Sequence, residues 1–290
     1  NARANAKNFG DDELRAAIDY CHSRGVRVYV TLNTSLYDRE LSDALSYAGV
    51  LYEMGADAVI AADTGLITLL RRRLPQLPVH ASTQAAVHNL PALRLLADLG
   101  VTRAVVAREL PREALAAMCS ESHVEIEVFV HGALCVSCSG QCLLSAVMGG
   151  RSGNRGECAQ PCRLPYEPIA AGHNAHGRQK REYPISLRDL CLAEHIPELI
   201  SMGVSSLKIE GRMKSPDYVE GVTRIYRTLL DERRAATQAE VDALRRIFSR
   251  GGFTDAYYTG AGSSLRGMLG VRSERDKSES KLSAAPKGNV

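Results

Sequence analysis

The sequence predicts an α/β fold, a (β/α)8 TIM-like barrel that lacks its first two strands here. Near-continuous apolar strands alternate with helices, which is typical of a parallel sheet covered on both faces. Four helix-to-strand joints contain a glycine: Gly25, Gly55, Gly100 and Gly203. Polar residues follow the strands, where the catalytic mouth of a barrel lies. The alternative is a doubly wound sheet, but its usual glycine-rich phosphate turn does not occur in the sequence.

Apolar periodicity and capping residues predict the individual elements. The predicted strands are residues 26–32, 56–62, 79–84, 104–109, 125–131 and 206–211. The predicted helices are residues 11–24, 40–54, 66–74, 90–99, 112–119, 190–202, 218–232 and 238–250. Six parallel strands are fewer than a closed barrel needs, so we expect an N-terminal strand, helix and strand to lie outside this sequence.

Three regions are predicted along the chain. Residues 1–215 form the barrel, with a cysteine-rich insertion at 133–185 after a barrel strand. Residues 216–262 form a helical C-terminal extension. Residues 263–290 are a charged, serine-rich polar tail, which we expect to lead to a C-terminal domain outside this sequence.

Composition indicates a globular protein in the cytoplasm. The 290 residues are 45% apolar, enough for a full core, and contain neither a long apolar run nor a signal peptide. The net charge of +3 does not by itself indicate a nucleic-acid partner. Basic residues are nevertheless concentrated in and after the insertion: Arg151, Arg155, Arg163, Arg178, Lys180 and Arg181. They form either a phosphate-contacting rim or a solvated loop, and the sequence leaves both open.

Most of the eight cysteines lie in one glycine-rich stretch. The stretch contains Cys135, Cys138, Cys142, Cys158 and Cys162. In a reducing compartment such thiols are more typical of metal or cluster ligands than of disulfides. Cys21 and Cys119 lie at apolar positions of predicted helices and are interpreted as core residues.

Several long segments resemble one known family. They are HGALCVSCSGQCLLS, NRGECAQPCR, SLRDLCLAEHIPEL and SLKIEGRMKSPDYV, with upstream similarity in VYVTLNT, HASTQ and VVARE. These segments are similar to the signatures of the collagenase-like family called peptidase family U32. The resemblance covers nearly the whole chain to about Gly262, and the closing segment FSRGGFTDAYYTG is similar to that of the long members.

The resemblance implies a function in RNA modification. Similar members are implicated in hydroxylation of RNA bases, on 23S rRNA cytidine or on the wobble uridine of tRNA, independent of oxygen or linked to prephenate. RNA is then the partner, and prephenate is a possible co-substrate. Members of this kind hold a 4Fe-4S cluster, whose ligands match Cys135, Cys142, Cys158 and Cys191 here. Cys138 and Cys162 are possible substitutes.

For a hydroxylase, we expect the strand ends to bind the substrate and its oxygen donor. The candidates for acid, base or proton-transfer roles are Glu109, Glu127, His131 and Glu210. The candidates for substrate binding are His80, Gln84, Arg108, Arg155 and Arg212. A glutamate beside an arginine is also typical of a structural ion pair, and this interpretation stays open at each position.

Three alternatives remain. The cysteine pairs at 135/138 and 158/162 allow a structural zinc, although the distant Cys191 in the family motif favours the cluster. A peptidase would use Cys135 or Cys142 as nucleophile with His131 as base, because neither HExxH nor GxSxG occurs. A non-catalytic RNA-binding role leaves the polar strand ends unexplained.

Overall fold

The computed structural model describes residues 8–166 and 183–260, and the chain divides into two compact units. Of the described residues, the first unit contains 8–129, 137–158 and 199–208. The second unit contains 130–136, 159–166, 183–198 and 209–260. The predicted polar tail at 263–290 lies outside the described residues, and the predicted domain boundaries stay a prediction.

The elements alternate between helix and strand along most of the chain. The strands are β1 (Tyr29–Leu32), β2 (Ala58–Ala61), β3 (Val79–Ala81), β4 (Arg103–Val105), β5 (Glu125–Ala133), β6 (Asp189–Cys191), β7 (Ser206–Ile209) and β8 (Phe253–Thr254). The helices are α1 (Asp11–His22), α2 (Asp38–Glu53), α3 (Thr64–Arg73), α4 (Leu90–Asp98), α5 (Arg112–Glu121), α6 (Leu144–Gly149), α7 (Ile196–Ser201), α8 (Pro216–Glu232) and α9 (Gln238–Ile247).

The sheet of the first unit follows chain order. β1, β2, β3, β4 and β5 pair in sequence and in parallel, and β7 also pairs with β5. An order without reversal is typical of a (β/α) barrel wall, because a doubly wound sheet reverses at its switch point. The predicted α/β fold with a parallel sheet is therefore confirmed, whereas closure into a barrel stays a prediction.

The four predicted joint glycines all adopt the left-handed conformation. Their φ angles are +69° at Gly25, +90° at Gly55, +81° at Gly100 and +83° at Gly203. A residue with a Cβ is strained at such angles, so glycine is the residue that ends each helix and allows the chain to turn back toward the sheet. These local signals are why the helix-strand joints are predictable.

The segment that enters α7 is predicted wrongly. Residues 190–202 are predicted as one helix, yet the first two belong to β6, and α7 begins at Ile196. β6 pairs antiparallel with the end of β5, where Cys191 lies opposite His131. β5 continues to Ala133, beyond its predicted end, and its backbone groups need partners that β6 provides. A three-residue strand carries no periodicity that distinguishes it from a helix.

Two further short elements are not predicted. α6 forms within the cysteine-rich insertion of the first unit, and β8 pairs in parallel with β6 in the second unit. α9 ends at Ile247 and not at Arg250. Each difference concerns six residues or fewer, where propensity is weak and tertiary contacts decide.

Each unit has its own apolar core. In the first, every residue of β2 is buried, and Leu51, Leu66 and Leu70 of the flanking helices are fully buried. In the second, Ile196 of α7 and Leu229 of α8 are fully buried. Within the described residues, no helix is long and apolar enough to cross a membrane.

A buried ion-pair network lies in the first unit. Glu127 of β5 is 5% exposed, and its carboxylate contacts Lys208 Nζ of β7 at 2.6 Å and Arg103 Nη1 of β4 at 3.5 Å. Arg103 also donates to Glu125 at 2.7 Å. Burial raises the pKa of Glu127, but the charges of Lys208 and Arg103 outweigh it and the pKa lies below its ordinary value. Glu127 lies near the start of β5, and these contacts favour the structural ion pair over an acid or base role.

We expect Lys208→Met to lower the free energy of unfolding by about 2 kcal/mol, because the buried Glu127 carboxylate loses its nearest cation. The loss is smaller than for a fully buried pair, since the Lys208 side chain is 28% exposed. Urea unfolding measures it. The matched control is Arg94→Met, which removes an exposed pair with Glu121 in the same unit and should change the value by about 0.5 kcal/mol or less. Equal losses in the two variants would contradict the network.

Candidate functional site

The loop after β4 is hydrogen-bonded to the cysteine-rich insertion within the first unit. The Glu109 carboxylate accepts hydrogen bonds from the Ser139 amide, from the Ser139 hydroxyl at 2.7 Å and from His88 Nε2 at 3.3 Å. Burial raises the pKa of Glu109, but these hydrogen bonds outweigh it, so the pKa lies below its ordinary value. Glu109, predicted as an acid or base, is therefore an ionised acceptor that holds the segment next to Cys138.

The same segment passes close over the end of β3. Gly140 has a φ of +76°, and a Cβ built on it would lie 2.4 Å from the carbonyl oxygen of Gln84. A side chain cannot fit at this position without moving the backbone. Gln84, predicted to bind substrate, therefore has its backbone covered by the insertion.

Arg108 is held against the first unit at both its backbone and its side chain. Its amide donates to the Ser139 hydroxyl at 3.3 Å, and its guanidinium carbon lies 4.0 Å from the centre of the Phe129 ring. Stacking of this kind leaves the edge of the guanidinium able to donate hydrogen bonds. The predicted role of Arg108 in substrate binding is compatible with this placement.

Arg155 attaches the other end of the insertion to the loop after β1. It makes two hydrogen bonds to the Glu40 carboxylate, at 2.7 and 3.0 Å, and one to the Ser35 carbonyl at 2.8 Å. Hydrogen bonds from the Arg155 side chain and the Tyr37 amide lower the pKa of Glu40 to about 2. The guanidinium of Arg155, predicted to contact substrate, is thus already occupied by a paired carboxylate.

His80 lies inside the sheet and not at its end. It is the middle residue of β3, is 5% exposed, and packs edge-on against Tyr29 with ring centres 4.7 Å apart. Burial and the charge of Arg103 lower the pKa of His80 to about 4. Within residues 8–166 and 183–260, its Nδ1 atom has no hydrogen-bond partner. The imidazole is neutral at pH 7.

Two serines at this edge of the sheet are absent from the predicted site. Ser82 accepts hydrogen bonds from the Asn33 side chain at 3.0 Å and from the Gln84 amide at 3.1 Å. Ser139 receives and donates the bonds described above. Nothing in the sequence distinguishes either serine from an ordinary turn residue, because Asn33 lies 49 positions from Ser82 and Glu109 lies 30 positions from Ser139.

His131 is the centre of a buried cluster in the second unit. It is 1% exposed and lies opposite Cys191, and Tyr226 OH is 3.3 Å from His131 Nδ1 and 3.7 Å from Cys191 Sγ. Tyr226 OH also donates to the Val130 carbonyl at 2.9 Å. Burial lowers the pKa of His131 to about 4 and raises the pKa of the Cys191 thiol. The cross-strand neighbour of His131 is thus Cys191, and not the Cys135 or Cys142 nucleophile of the peptidase alternative.

The loop after β7 packs on the same end of β5. The Glu210 amide donates to the His131 carbonyl at 2.9 Å, and the Glu210 carboxylate accepts from the Arg212 amide at 3.0 Å. A Cβ built on Gly132 would lie 2.8 Å from the Glu210 carbonyl oxygen, so this close approach requires glycine. The structure therefore brings together two predicted residues, Glu210 and Arg212, beside a third, His131.

The predicted cluster ligands are distributed over both units. Cys138, Cys142 and Cys158 belong to the first, and Cys135, Cys162 and Cys191 to the second. Within the described residues, none of the six takes part in a disulfide. Gly153 lies between two of them, since a Cβ built on it would be 3.5 Å from Cys158 Cβ and 3.9 Å from the Cys142 carbonyl oxygen.

The thiolate donor set suits an iron-sulfur cluster chemically. Among residues 8–166 and 183–260, no group of three or more His, Cys, Asp or Glu side chains is placed to hold a metal ion.

The predicted basic rim is only partly described. Arg178, Lys180 and Arg181 lie outside the described residues. In the first unit, Arg155 pairs with Glu40, and Arg151 donates to the Glu157 carbonyl at 3.0 Å. Arg163, in the second unit, donates to three uncharged acceptors.

The fold and the site define an α/β protein with a cysteine-rich insertion whose segments are hydrogen-bonded to the loops that follow its strands. The chain belongs to peptidase family U32, because the model of that family, described as Peptidase family U32, matches residues 1–266. The resemblance inferred from the sequence motifs is confirmed.

Curated relatives carry names of two kinds. An Escherichia coli protein named as a 23S rRNA 5-hydroxycytidine synthase is 40% identical over 232 residues, covering 79% of this chain and 34% of the relative. A Bacillus subtilis protein named as a tRNA hydroxylation protein is 37% identical, covering 79% of this chain and 55% of the relative. A Methanocaldococcus jannaschii protein named as an uncharacterized protease is 39% identical, covering 80% of this chain and 58% of the relative. The chain thus spans about a third to three fifths of their lengths.

The lowered pKa of His80 predicts a pH dependence of stability. As the pH falls from about 6.5 to about 4, the unfolded chain takes up a proton at His80 that the folded chain does not. The free energy of unfolding therefore falls with pH in this window, by about 1.4 kcal/mol per pH unit at most for this group. His80→Gln should lose less stability between about pH 7 and pH 4.5 than the wild type, measured by urea unfolding. Identical losses would show that His80 is not buried in its neutral form.

Proposed function

We propose that the full-length protein hydroxylates a pyrimidine base in RNA, either 23S rRNA cytidine or the wobble uridine of tRNA. The observation that carries the proposal is the similarity, at 37–40% identity over 79% of this chain, to two relatives named for RNA hydroxylation. Their names concern an rRNA and a tRNA, so we propose RNA as the substrate class. We propose the cytoplasm as the compartment in which the protein acts.

The contacts of the predicted site residues suggest which of them are available to bind the substrate. Glu109, Glu127 and Arg155 are each held by charged or hydrogen-bonding partners inside the first unit, which supports structural roles for them. Arg108 and Gln84, in the segments that follow β4 and β3, keep their proposed roles in binding. A guanidinium there suits phosphate oxygens or the carboxylate of a co-substrate such as prephenate, a part of the proposal that rests on the family resemblance.

In the second unit, His131, Glu210 and Arg212 are the proposed residues around the reacting group. His131 is neutral because of its burial, so it can accept or donate a proton at one ring nitrogen without a buried charge at rest. The Glu210 backbone is fixed by the His131 carbonyl and by the Tyr218 hydroxyl, which donates at 3.1 Å. This fixed backbone supports a positioning role for the loop after β7.

We also propose that Cys135, Cys142, Cys158 and Cys191 hold a 4Fe-4S cluster, with Cys138 and Cys162 as possible substitutes. The support is the soft thiolate donor set and the family resemblance. A cluster of this kind supplies electron transfer when it is bound. A structural zinc on the same thiols is the alternative.

The RNA proposal is tested in a strain that lacks the gene, complemented with the full-length protein. We expect mass spectrometry of digested rRNA and tRNA to show one hydroxylated pyrimidine with the wild type, and its loss to background with Cys158→Ala. The matched control is Cys119→Ala in α5, outside the proposed ligand set, which should restore the modification.

Full modification with Cys158→Ala would overturn the proposed role of this thiol. Unmodified RNA together with hydrolysis of a protein substrate would indicate a peptidase, and RNA binding without modification would indicate a binding protein.

The cofactor proposal is tested by iron, acid-labile sulfide and zinc analysis of full-length protein purified without oxygen. We expect about four irons and four sulfides per chain, as for a cubane cluster. Cys158→Ala should lose most of both, and Cys119→Ala should retain them. Stoichiometric zinc with no iron in the wild type would replace the cluster by a structural zinc site.

A further inference from the structure

One arginine of the second unit contacts several cysteine-bearing stretches at once. Arg163 Nη1 donates to the Ser186 hydroxyl at 2.9 Å and to the Leu187 carbonyl at 2.5 Å, and Nη2 donates to the Leu134 carbonyl at 2.5 Å. The guanidinium is part-buried, and its acceptors come from two segments far apart in sequence. Its donors therefore act as a bridge between backbone segments.

Each bridged segment leads to a cysteine. Leu134 immediately precedes Cys135, and Arg163 itself immediately follows Cys162. Leu187 is followed by β6, whose last residue is Cys191. A single planar group thus bonds the backbone just beyond the β5–β6 ladder on both strands, next to the segments that carry these three thiols.

Among the described residues, no carboxylate forms an ion pair with Arg163, although the charge of Asp189 acts favourably on it. Asp189, the nearest buried carboxylate in sequence to its acceptors, is instead bonded to Arg250, through the Arg250 amide at 2.8 Å and its guanidinium at 3.2 Å. The hydrogen-bond acceptors of Arg163 are two carbonyls and a hydroxyl, all uncharged. Burying a cation against neutral acceptors is costly, and an apolar residue of similar size would fill the space with less penalty.

The shape of the side chain explains what the charge alone does not. A guanidinium presents its donors in a rigid planar fork, so two of its nitrogens can hold two carbonyl oxygens in a fixed arrangement. A lysine ammonium is a compact charge on a flexible stem and lacks this fork. The arrangement of these acceptors therefore matches a guanidinium better than an ammonium group.

We propose that Arg163 is a positioning residue that fixes the backbone before Cys135 and before β6, and so sets the relative placement of the Cys135, Cys162 and Cys191 thiols. The inference rests on the proposed function, in which these thiols act together. It goes beyond it by assigning their placement to a residue outside the ligand set.

Amide hydrogen exchange of the full-length protein, kept reduced and metal-free, tests the proposal. With Arg163→Met we expect about tenfold faster exchange in the stretches 134–137 and 187–191, because both lose their anchor and open locally. Exchange in α8 and α9, in the same unit, should stay within about twofold. Unchanged exchange in both stretches would overturn the proposal. An equal rise throughout α8 and α9 would also overturn it, because Arg163 would then stabilise the unit as a whole.

Two further variants separate the fork from the charge. Arg163→Lys keeps the charge but cannot reproduce both carbonyl contacts, so at least one of the two stretches should remain fast; full protection of both would overturn the proposal. If Arg163→Met does not fold, Arg163→Lys alone tests whether Arg163 positions the two stretches. The matched control is Arg151→Met, the same change in charge elsewhere in the insertion, which should leave both stretches of the second unit unchanged.

A second readout concerns the thiols as a set. In protein purified without oxygen, Arg163→Met should retain less than about half of the wild-type iron, although every cysteine is present. Hydrogen exchange involves neither RNA nor iron. If the wild type showed no RNA hydroxylation or no iron, the proposed function would be contradicted. The exchange result would still test the positioning role of Arg163.

Discussion

The hydrogen bonds of the Glu109 carboxylate are the constraint on which the first unit's cysteine-rich segment depends. An ionised, half-buried carboxylate requires donors, and Ser139 supplies its amide and hydroxyl while His88 supplies a third. With Ser139 held in place, Gly140 lies against the backbone of Gln84, an approach that no other residue allows. The pair of Arg155 with Glu40 then attaches the far end of the segment. Cys142 lies between these two attachments, Cys138 immediately precedes Ser139, and Cys158 follows shortly after Arg155.

The second unit places its cysteines by the same principle with different groups. Its buried polar side chains are satisfied mostly by backbone atoms: Tyr226 by the Val130 carbonyl, Asp189 by the Arg250 amide, and Arg163 by the Leu134 and Leu187 carbonyls. Burial raises the pKa of Asp189, and the charge and amide of Arg250 oppose this. In both units the backbone near the thiols is fixed by residues that are not themselves thiols, so loss of a neighbouring polar residue can disturb a cysteine site without touching a cysteine.

Family membership and geometry together change how the charged residues are interpreted. A strand-end glutamate or arginine is an obvious candidate for chemistry, yet Glu127 is balanced by Lys208 and Arg103, and Arg155 is paired with Glu40. Structural ion pairs of this kind also perturb pKa values, as active sites do. The family shared with relatives named for RNA hydroxylation therefore supports the function better than any single perturbed carboxylate does.

The sequence by itself determined the parallel part of the fold and the family. The joint glycines, the apolar strands and the long cysteine-bearing motifs are local signals. Each can be recognised from neighbouring residues alone, without knowing which distant residues it contacts. Only the tertiary structure decided that Cys191 lies on an antiparallel strand opposite His131, that Glu109 bonds Ser139, and that Arg163 bridges two carbonyls. Each of these contacts joins residues separated by 24 or more positions, and a buried polar group takes whichever partner the folded backbone brings to it.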